Sequence, residues 1–140
     1  MPVVDTCTLI DIAEDDPDFG VLSARCVQAH LDQPLLVSPI TYVELGPVFD
    51  GSSRLLDEFL AGLGVRHDLV FDLEDRRLAF AAWSRHVSAK RAGSATRRPV
   101  ADALIGALAM RHGGIITRDG AHFHSFYPKL PIIDPCRGSG

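Results

Sequence analysis

The sequence is short of cysteine, of long apolar runs and, in its second half, of acids. Only three cysteines are present, Cys7, Cys26 and Cys136, with no CxxC pair among them. An odd number without that spacing argues against a disulfide framework and against a zinc–cysteine site. No apolar run approaches the roughly 18 residues of a membrane span. The N-terminus lacks a basic segment and carries Asp5 early, so no secretory leader is expected. A reducing cytoplasm is then the expected location, with no membrane partner. What is there is ordinary for one globular domain: 140 residues, 46% hydrophobic and 23% charged, which excludes disordered and collagenous chains.

The scarcity of acids has a direction. Residues 1–75 hold 15 acids and 3 bases, whereas residues 76–140 hold 3 acids and 11 bases. Asymmetry of this kind points to a polyanionic partner, or to two solvated faces of opposite sign.

Short apolar runs alternate with helical periodicity along the chain. Val3-Val4, Leu35–Val37, Val65–Phe71, Ile115-Ile116 and Pro131–Ile133 read as buried strands. Residues 21–32, 53–63 and 73–89 have helical spacing, and Pro99 opens an apolar helix that Gly113-Gly114 ends. Ser38-Pro39 is a helix start, with a hydroxyl N-cap followed by proline at N1. Lys90–Pro99 reads as a basic loop, and Thr117–Gly120 as a turn. Strand–helix alternation implies an α/β fold with a mostly parallel sheet covered on both faces. One domain is expected over residues 1–134, followed by a tail at 135–140.

Four acids stand in apolar surroundings. Asp5 follows Val3-Val4, Glu44 lies between Val43 and Leu45, Asp102 sits in an otherwise apolar helix, and Asp119 comes soon after Ile115-Ile116. The helix carrying Asp102 has no polar side, so it should be buried all round. A buried carboxylate needs a partner, and a metal ion or a distant arginine would serve. Asp5 and Asp119 follow strands, at the edge where parallel sheets place their sites. The same rim should receive Asp102, with Glu44 reaching in from a neighbouring helix. Converging carboxylates repel unless a cation joins them, and oxygen donors suit Mg²⁺ or Mn²⁺. Cys7, in the same apolar run, reads as a small buried hydrophobe.

The segments VVDTCTLI, SPITYVEL, RRPVADALIGALAM and IITRDGAHF, in this order and over roughly residues 2–134, resemble the PIN domain. More narrowly they resemble VapC-type toxin ribonucleases of bacterial toxin–antitoxin modules. The resemblance implies a three-layer α/β/α sandwich with strand order 3-2-1-4-5. It implies a Mg²⁺- or Mn²⁺-dependent endoribonuclease that leaves a 3′-hydroxyl and a 5′-phosphate. The family's four acids fall on Asp5, Glu44, Asp102 and Asp119, with Thr117 beside the last and Thr6 after the first. A cognate antitoxin and a homodimer are implied as partners, with RNA as substrate. One departure is visible: many relatives carry an aspartate where this chain has His122.

Lys90, Arg91, Arg97, Arg98 and Arg118 are the expected contacts to the RNA backbone, since such contacts give affinity without sequence information. His122 and His124 are too isolated to read as a metal pair. A phosphotransferase with an Asp-x-Asp nucleophile motif is disfavoured because Cys7 stands where the second acid belongs. The remaining alternative is a non-catalytic RNA- or protein-binding module of the same fold.

Overall fold

The three central strands of this chain are buried on both faces, and that requirement shapes the molecule. The computed structural model describes residues 1–91 and 99–137. Five two-residue strands, β1 (Val3–Val4), β2 (Leu35–Leu36), β3 (Val65–Arg66), β4 (Ile115–Ile116) and β5 (Ile132–Ile133), form one sheet in the order β3-β2-β1-β4-β5. Every pairing is parallel. Seven α-helices are described: α1 (Thr6–Ala13), α2 (Gly20–Ala29), α3 (Pro39–Glu44), α4 (Ser53–Leu63), α5 (Leu73–Arg91), α6 (Val100–Arg111) and α7 (Gly120–His124).

Register places Val3 beside Leu36 and Ile115, and Ile115 beside Ile132. This row faces a core built from α5, α6 and the α7 region, including Ala79, Ile105, Phe123 and Tyr127. Val4, Leu35 and Ile116, on the opposite face, meet Leu9 of α1, Val27 of α2 and Leu56 and Leu60 of α4. Successive strand residues point to opposite faces, so two-residue strands feed both layers. The result is the three-layer α/β/α sandwich with strand order 3-2-1-4-5 that the resemblance implied.

Local starts and stops follow the sequence closely. Ser38 Oγ accepts from Thr41 N at 3.0 Å and caps α3, with Pro39 at N1. Helix α4 spans the residues its periodicity predicts. Four details differ. Helices α1 and α7 stand where the sequence showed no clear helical period, because both are too short to display one. Strand β3 ends at Arg66 rather than Phe71, since it lies at the sheet's edge and its neighbour β2 ends at Leu36. Helix α5 runs on to Arg91, so Lys90 and Arg91 belong to its last turn and not to a loop. Cations there suit the negative end of the helix dipole. Finally, Pro135–Arg137 forms a 3-10 turn packed against α2, with Pro135 buried, where a tail was expected. Arg97 and Arg98 lie outside the described residues. Among the described residues no helix is long and apolar enough to cross a membrane.

Helix α6 and Tyr127 approach closely at Gly106, within the layer on one face of the sheet. A Cβ there would lie 2.5 Å from Tyr127 Cε2. The Tyr127 ring is held in place because its hydroxyl donates to Ala103 O at 2.6 Å. Gly106→Ala should therefore destabilise the fold by about 1–2 kcal/mol. Overpacking costs roughly 1–3 kcal/mol and the helix propensity gain returns at most about 1 kcal/mol. Urea unfolding midpoints check this, and a stabilised variant would show that the ring gives way freely.

Candidate functional site

The sheet changes winding direction at β1 and β4, which are neighbours although far apart in sequence. Parallel sheets open a crevice at such a point, beyond the strands' carboxyl ends. Asp5 leaves β1 there, and Thr117–Asp119 leave β4. Asp5 N donates to Ile116 O at 2.9 Å, which ties the two exits together.

Asp5 is the N-cap of α1, and its Oδ1 accepts from Thr6 N at 2.8 Å. Its Oδ2 accepts from the Thr117 hydroxyl at 2.8 Å and from the Cys7 thiol at 3.3 Å. Thr117 is fully buried, and its Oγ1 in turn accepts from Asp119 N at 3.0 Å. One hydroxyl thus fixes the Asp5 carboxylate and the backbone that carries Asp119. Donor atoms of Asp5, Cys7 and Asp119 all lie within 4.8 Å of one another.

Asp5 is only 6% exposed. Burial, above all, pushes its carboxyl above the ordinary carboxylate range, and the charge of Asp119 adds to this. The three hydrogen bonds pull it back only in part. Burial and then the Asp5 charge push the Cys7 thiol up to about 12, so it carries its proton. Among the described residues two other acids are as deeply buried, and both have an arginine. Asp11 accepts from Arg118 Nε at 2.9 Å and Nη2 at 3.2 Å. Asp75 accepts from Arg111 Nε and Nη2, each at 2.8 Å. No such basic partner meets Asp5 among the described residues. A buried carboxylate of raised pKa, facing further donors, fits a site for a divalent cation.

The other expected site residues are placed less uniformly. The Thr6 hydroxyl donates to Glu44 Oε1 at 2.7 Å and lies 3.0 Å from Thr41 Oγ1, so Glu44 adjoins the Asp5 end of α1. Glu44 is nevertheless exposed rather than buried, because its side of α3 faces outward together with Val43. Asp102 is half-buried in the first turn of α6, where Val100 is exposed. The helix is therefore buried along its middle, not all round. Helix α6 packs against α3, which carries Glu44. Neither Glu44 nor Asp102 belongs to the tight Asp5–Cys7–Asp119 group. His122 is half-buried, and His124 Nε2 is spent on Leu130 O at 2.9 Å.

Arg118 differs most from expectation. Its guanidinium grips Asp11 and lies 4.3 Å from the Phe19 ring centroid. Ser23 Oγ also donates to Asp11 Oδ2, at 3.3 Å. The side chain thus anchors the loop between Thr117 and Asp119 to α1 and α2 instead of standing free beside the site. Sequence reasoning missed Asp11, although Ile10 and Ile12 flank it as apolar residues flank Glu44. It also missed Cys7 as a site residue: the thiol is half-buried and turned toward Asp5, not into the core.

A protein-family model described as the PIN domain matches residues 3–127. Similar solved structures cover nearly the whole chain at low identity. A chain of the FitAcB crystal structure from Neisseria gonorrhoeae is 20% identical, with TM-score 0.68, covering 99% of this chain and 100% of that one. A chain of FitAB bound to an IR36 DNA fragment is 18% identical, with TM-score 0.66 and coverage of 100% and 99%. A chain of VapBC2 from Rickettsia felis, bound to a DNA fragment from their promoter, is 15% identical, with TM-score 0.70 and coverage of 94% and 96%. No curated protein matches the sequence.

Asp5 should cost the metal-free fold stability at neutral pH. Its folded pKa is raised, so its favourable contribution is complete below the unfolded pKa and is lost as pH rises through the folded pKa. Asp5→Asn should then raise the Tm of metal-free protein at pH 7 by a few degrees, or ~1 kcal/mol for a domain of this size. The gain should vanish as pH falls through the Asp5 pKa. Added Mn²⁺ should raise the Tm of the wild type and not of the variant. Differential scanning calorimetry with EDTA or Mn²⁺ reads all three.

Proposed function

Because this chain belongs to the PIN-domain family, we propose that it is a metal-dependent endoribonuclease and the toxin of a toxin–antitoxin pair. The observation that carries this reading is Asp5, a deeply buried carboxylate at the β1–β4 crevice that lacks the arginine given to Asp11 and Asp75. The single-domain reading belongs to the same proposal, with its boundary moved from residue 134 to Arg137 by the packing of Pro135–Arg137 against α2.

In this reading Asp5, Glu44, Asp102 and Asp119 hold Mg²⁺ or Mn²⁺, directly or through water. The ion, when bound, neutralises phosphate charge and lowers the pKa of a water. The chain's own residues do the positioning. Asp5 is locked by Thr6 N and the Thr117 hydroxyl, so one rotamer presents it to the crevice. Thr117 holds the Asp119 backbone at the same time. Thr6 steadies Glu44 on the far side of α1's first turn. Asp102, at the start of α6, completes the acidic set. Hydrolysis in line with the scissile phosphate would leave a 3′-hydroxyl and a 5′-phosphate.

Lys90 and Arg91 end α5, on the approach to the segment that leads into α6. Together with Arg97 and Arg98 they are the proposed backbone contacts for RNA. Arg118 enters the proposal as an anchor of the catalytic loop, with any phosphate contact secondary to its Asp11 pair. A cognate antitoxin and a second copy of the chain are the proposed protein partners, and the cytoplasm the proposed location. The similar chains come from structures named FitAB and VapBC2, each described as bound to DNA, which supports an antitoxin partner.

Incubating the protein with RNA in Mg²⁺, Mn²⁺ or EDTA, and sequencing the 5′-phosphate ends, tests the activity. Asp5→Asn and Asp102→Asn should each abolish metal-dependent cleavage while circular dichroism stays native. Thr117→Val should weaken metal affinity by roughly 10–100-fold, the usual effect of losing a ligand's supporting partner. Wild-type cleavage by either aspartate variant would sink the assignment. RNA that is bound but uncut in Mn²⁺ would favour the non-catalytic module. In an Asp5→Asn background, Arg97→Ala with Arg98→Ala should reduce the slope of log K against log salt by about 0.7 per lost phosphate contact. An unchanged slope would remove both residues from the RNA path.

A further inference from the structure

The proposed centre has one donor that a site for Mg²⁺ does not call for. Cys7 Sγ lies 3.3 Å from Asp5 Oδ2 and 3.6 Å from Thr117 Oγ1. It is a free thiol and half-buried, so it faces the crevice without being sealed in the core. With Asp5 and Asp119 it makes a donor set of two carboxylates and one sulfur within 4.8 Å. Donors on one tetrahedral ion, at bonds of roughly 2.0–2.3 Å, stand about 3.3–3.8 Å apart. Cys7 Sγ and Asp5 Oδ2, at 3.3 Å, already have that spacing, and Asp119 joins them by a side-chain movement.

Ligand softness separates the ions that would use it. Mg²⁺ and Mn²⁺ take oxygen and leave the thiol idle, whereas thiolate selects Zn²⁺ and its heavier congener Cd²⁺. Resting on the reading of this crevice as a metal centre, we propose that Cys7 makes it thiophilic. Zn²⁺ or Cd²⁺ binds through Asp5, Asp119 and the Cys7 sulfur, displaces the hard ion and silences the centre. The soft ion takes the place of the thiol proton, which passes to the buffer. No bond to carbon changes and no electron is transferred, so a chelator reverses the block.

The test reads the sulfur–metal bond itself. Cys26→Ser with Cys136→Ser leaves Cys7 as the sole thiol of the chain, and neither replaced residue lies in the proposed centre. Titrating this protein with Cd²⁺, without RNA, should produce an ultraviolet sulfur-to-cadmium charge-transfer band that saturates at one ion per chain. Adding Cys7→Ser should erase the band while Mn²⁺ still raises the Tm. Adding Asp5→Asn instead should weaken Cd²⁺ binding at least 10-fold. A protein whose only thiol is Cys7 and which shows no band overturns the proposal, as does a band that survives Cys7→Ser. If Cys7→Ser does not fold, the first titration still decides, because no other sulfur ligand of that type remains. Cleavage assays in Mn²⁺ on the same double variant keep the two readings apart. A band without cleavage rejects the nuclease and keeps the soft-metal site, whereas cleavage without a band does the reverse. Where both are present, Zn²⁺ should inhibit the double variant at least 10-fold more strongly than the variant that also lacks Cys7.

Discussion

The structure turns on one carboxylate that no counter-charge meets among the described residues. Asp5 sits where β1 gives way to α1, 6% exposed, and its partners among the described residues are a backbone amide, a hydroxyl and a thiol. Hydrogen bonds of this kind orient a charge but do not neutralise it, so burial still raises the pKa. The chain solves the same problem differently at Asp11 and Asp75, where an arginine grips both oxygens. Paired acids are finished structures. An unpaired one is stable only if the surrounding fold holds it, or if a cation arrives.

The surroundings are built to hold it. Parallel pairing of β1 with β4 fixes the two chain exits side by side. The three residues after β4 then divide the work. Thr117 points into the site and bonds Asp5, Arg118 points away and bonds Asp11, and Asp119 returns toward the site. The backbone bends at Arg118 and leaves the extended region at Asp119 (φ −108°, ψ 42°), which turns Asp119 back toward Asp5. The bend lets a single short segment serve as a wall of the crevice on one side and as an anchor to α1 and α2 on the other. The Arg118 pair with Asp11 therefore supports Asp5 indirectly, by fixing the hydroxyl that orients it.

Much of this was legible in the residues, for definite reasons. Strand–helix alternation yields the sheet and its layers because four of the five strands are apolar on both faces, the edge strand β3 ending in Arg66 being the exception. The Ser38-Pro39 signal yields the start of α3 because capping is local chemistry. The apolar neighbours of Asp5 and Asp119 correctly mark acids at strand ends. The same reasoning misplaced Glu44, since a residue between Val43 and Leu45 can still face outward when Val43 itself is exposed. It overlooked Asp75, whose burial depends on Arg111 reaching across from α6. Long-range pairing of that kind leaves no periodic trace. Cys7 was mistaken for a core residue because a half-buried thiol and a buried one share the same apolar neighbours in sequence.

The uneven charge of the two halves acquires a second meaning from these pairs. Asp11 meets Arg118, and Asp72 and Asp75 meet Arg111, so acids of residues 1–75 reach bases of residues 76–140. The pairs formed between close neighbours in sequence, such as Arg54 with Glu58 and Arg66 with Asp68, are largely exposed, and pairs of that kind contribute little. Charge asymmetry thus does structural work first, drawing the two halves together through their interior pairs. Residues 76–140 still carry more bases than acids once these pairs are set aside. A fold that neutralises its other deeply buried acids with arginine treats Asp5 differently: arginine secures the frame, while among the described residues the Asp5 carboxylate at the crevice is held by hydrogen bonds alone.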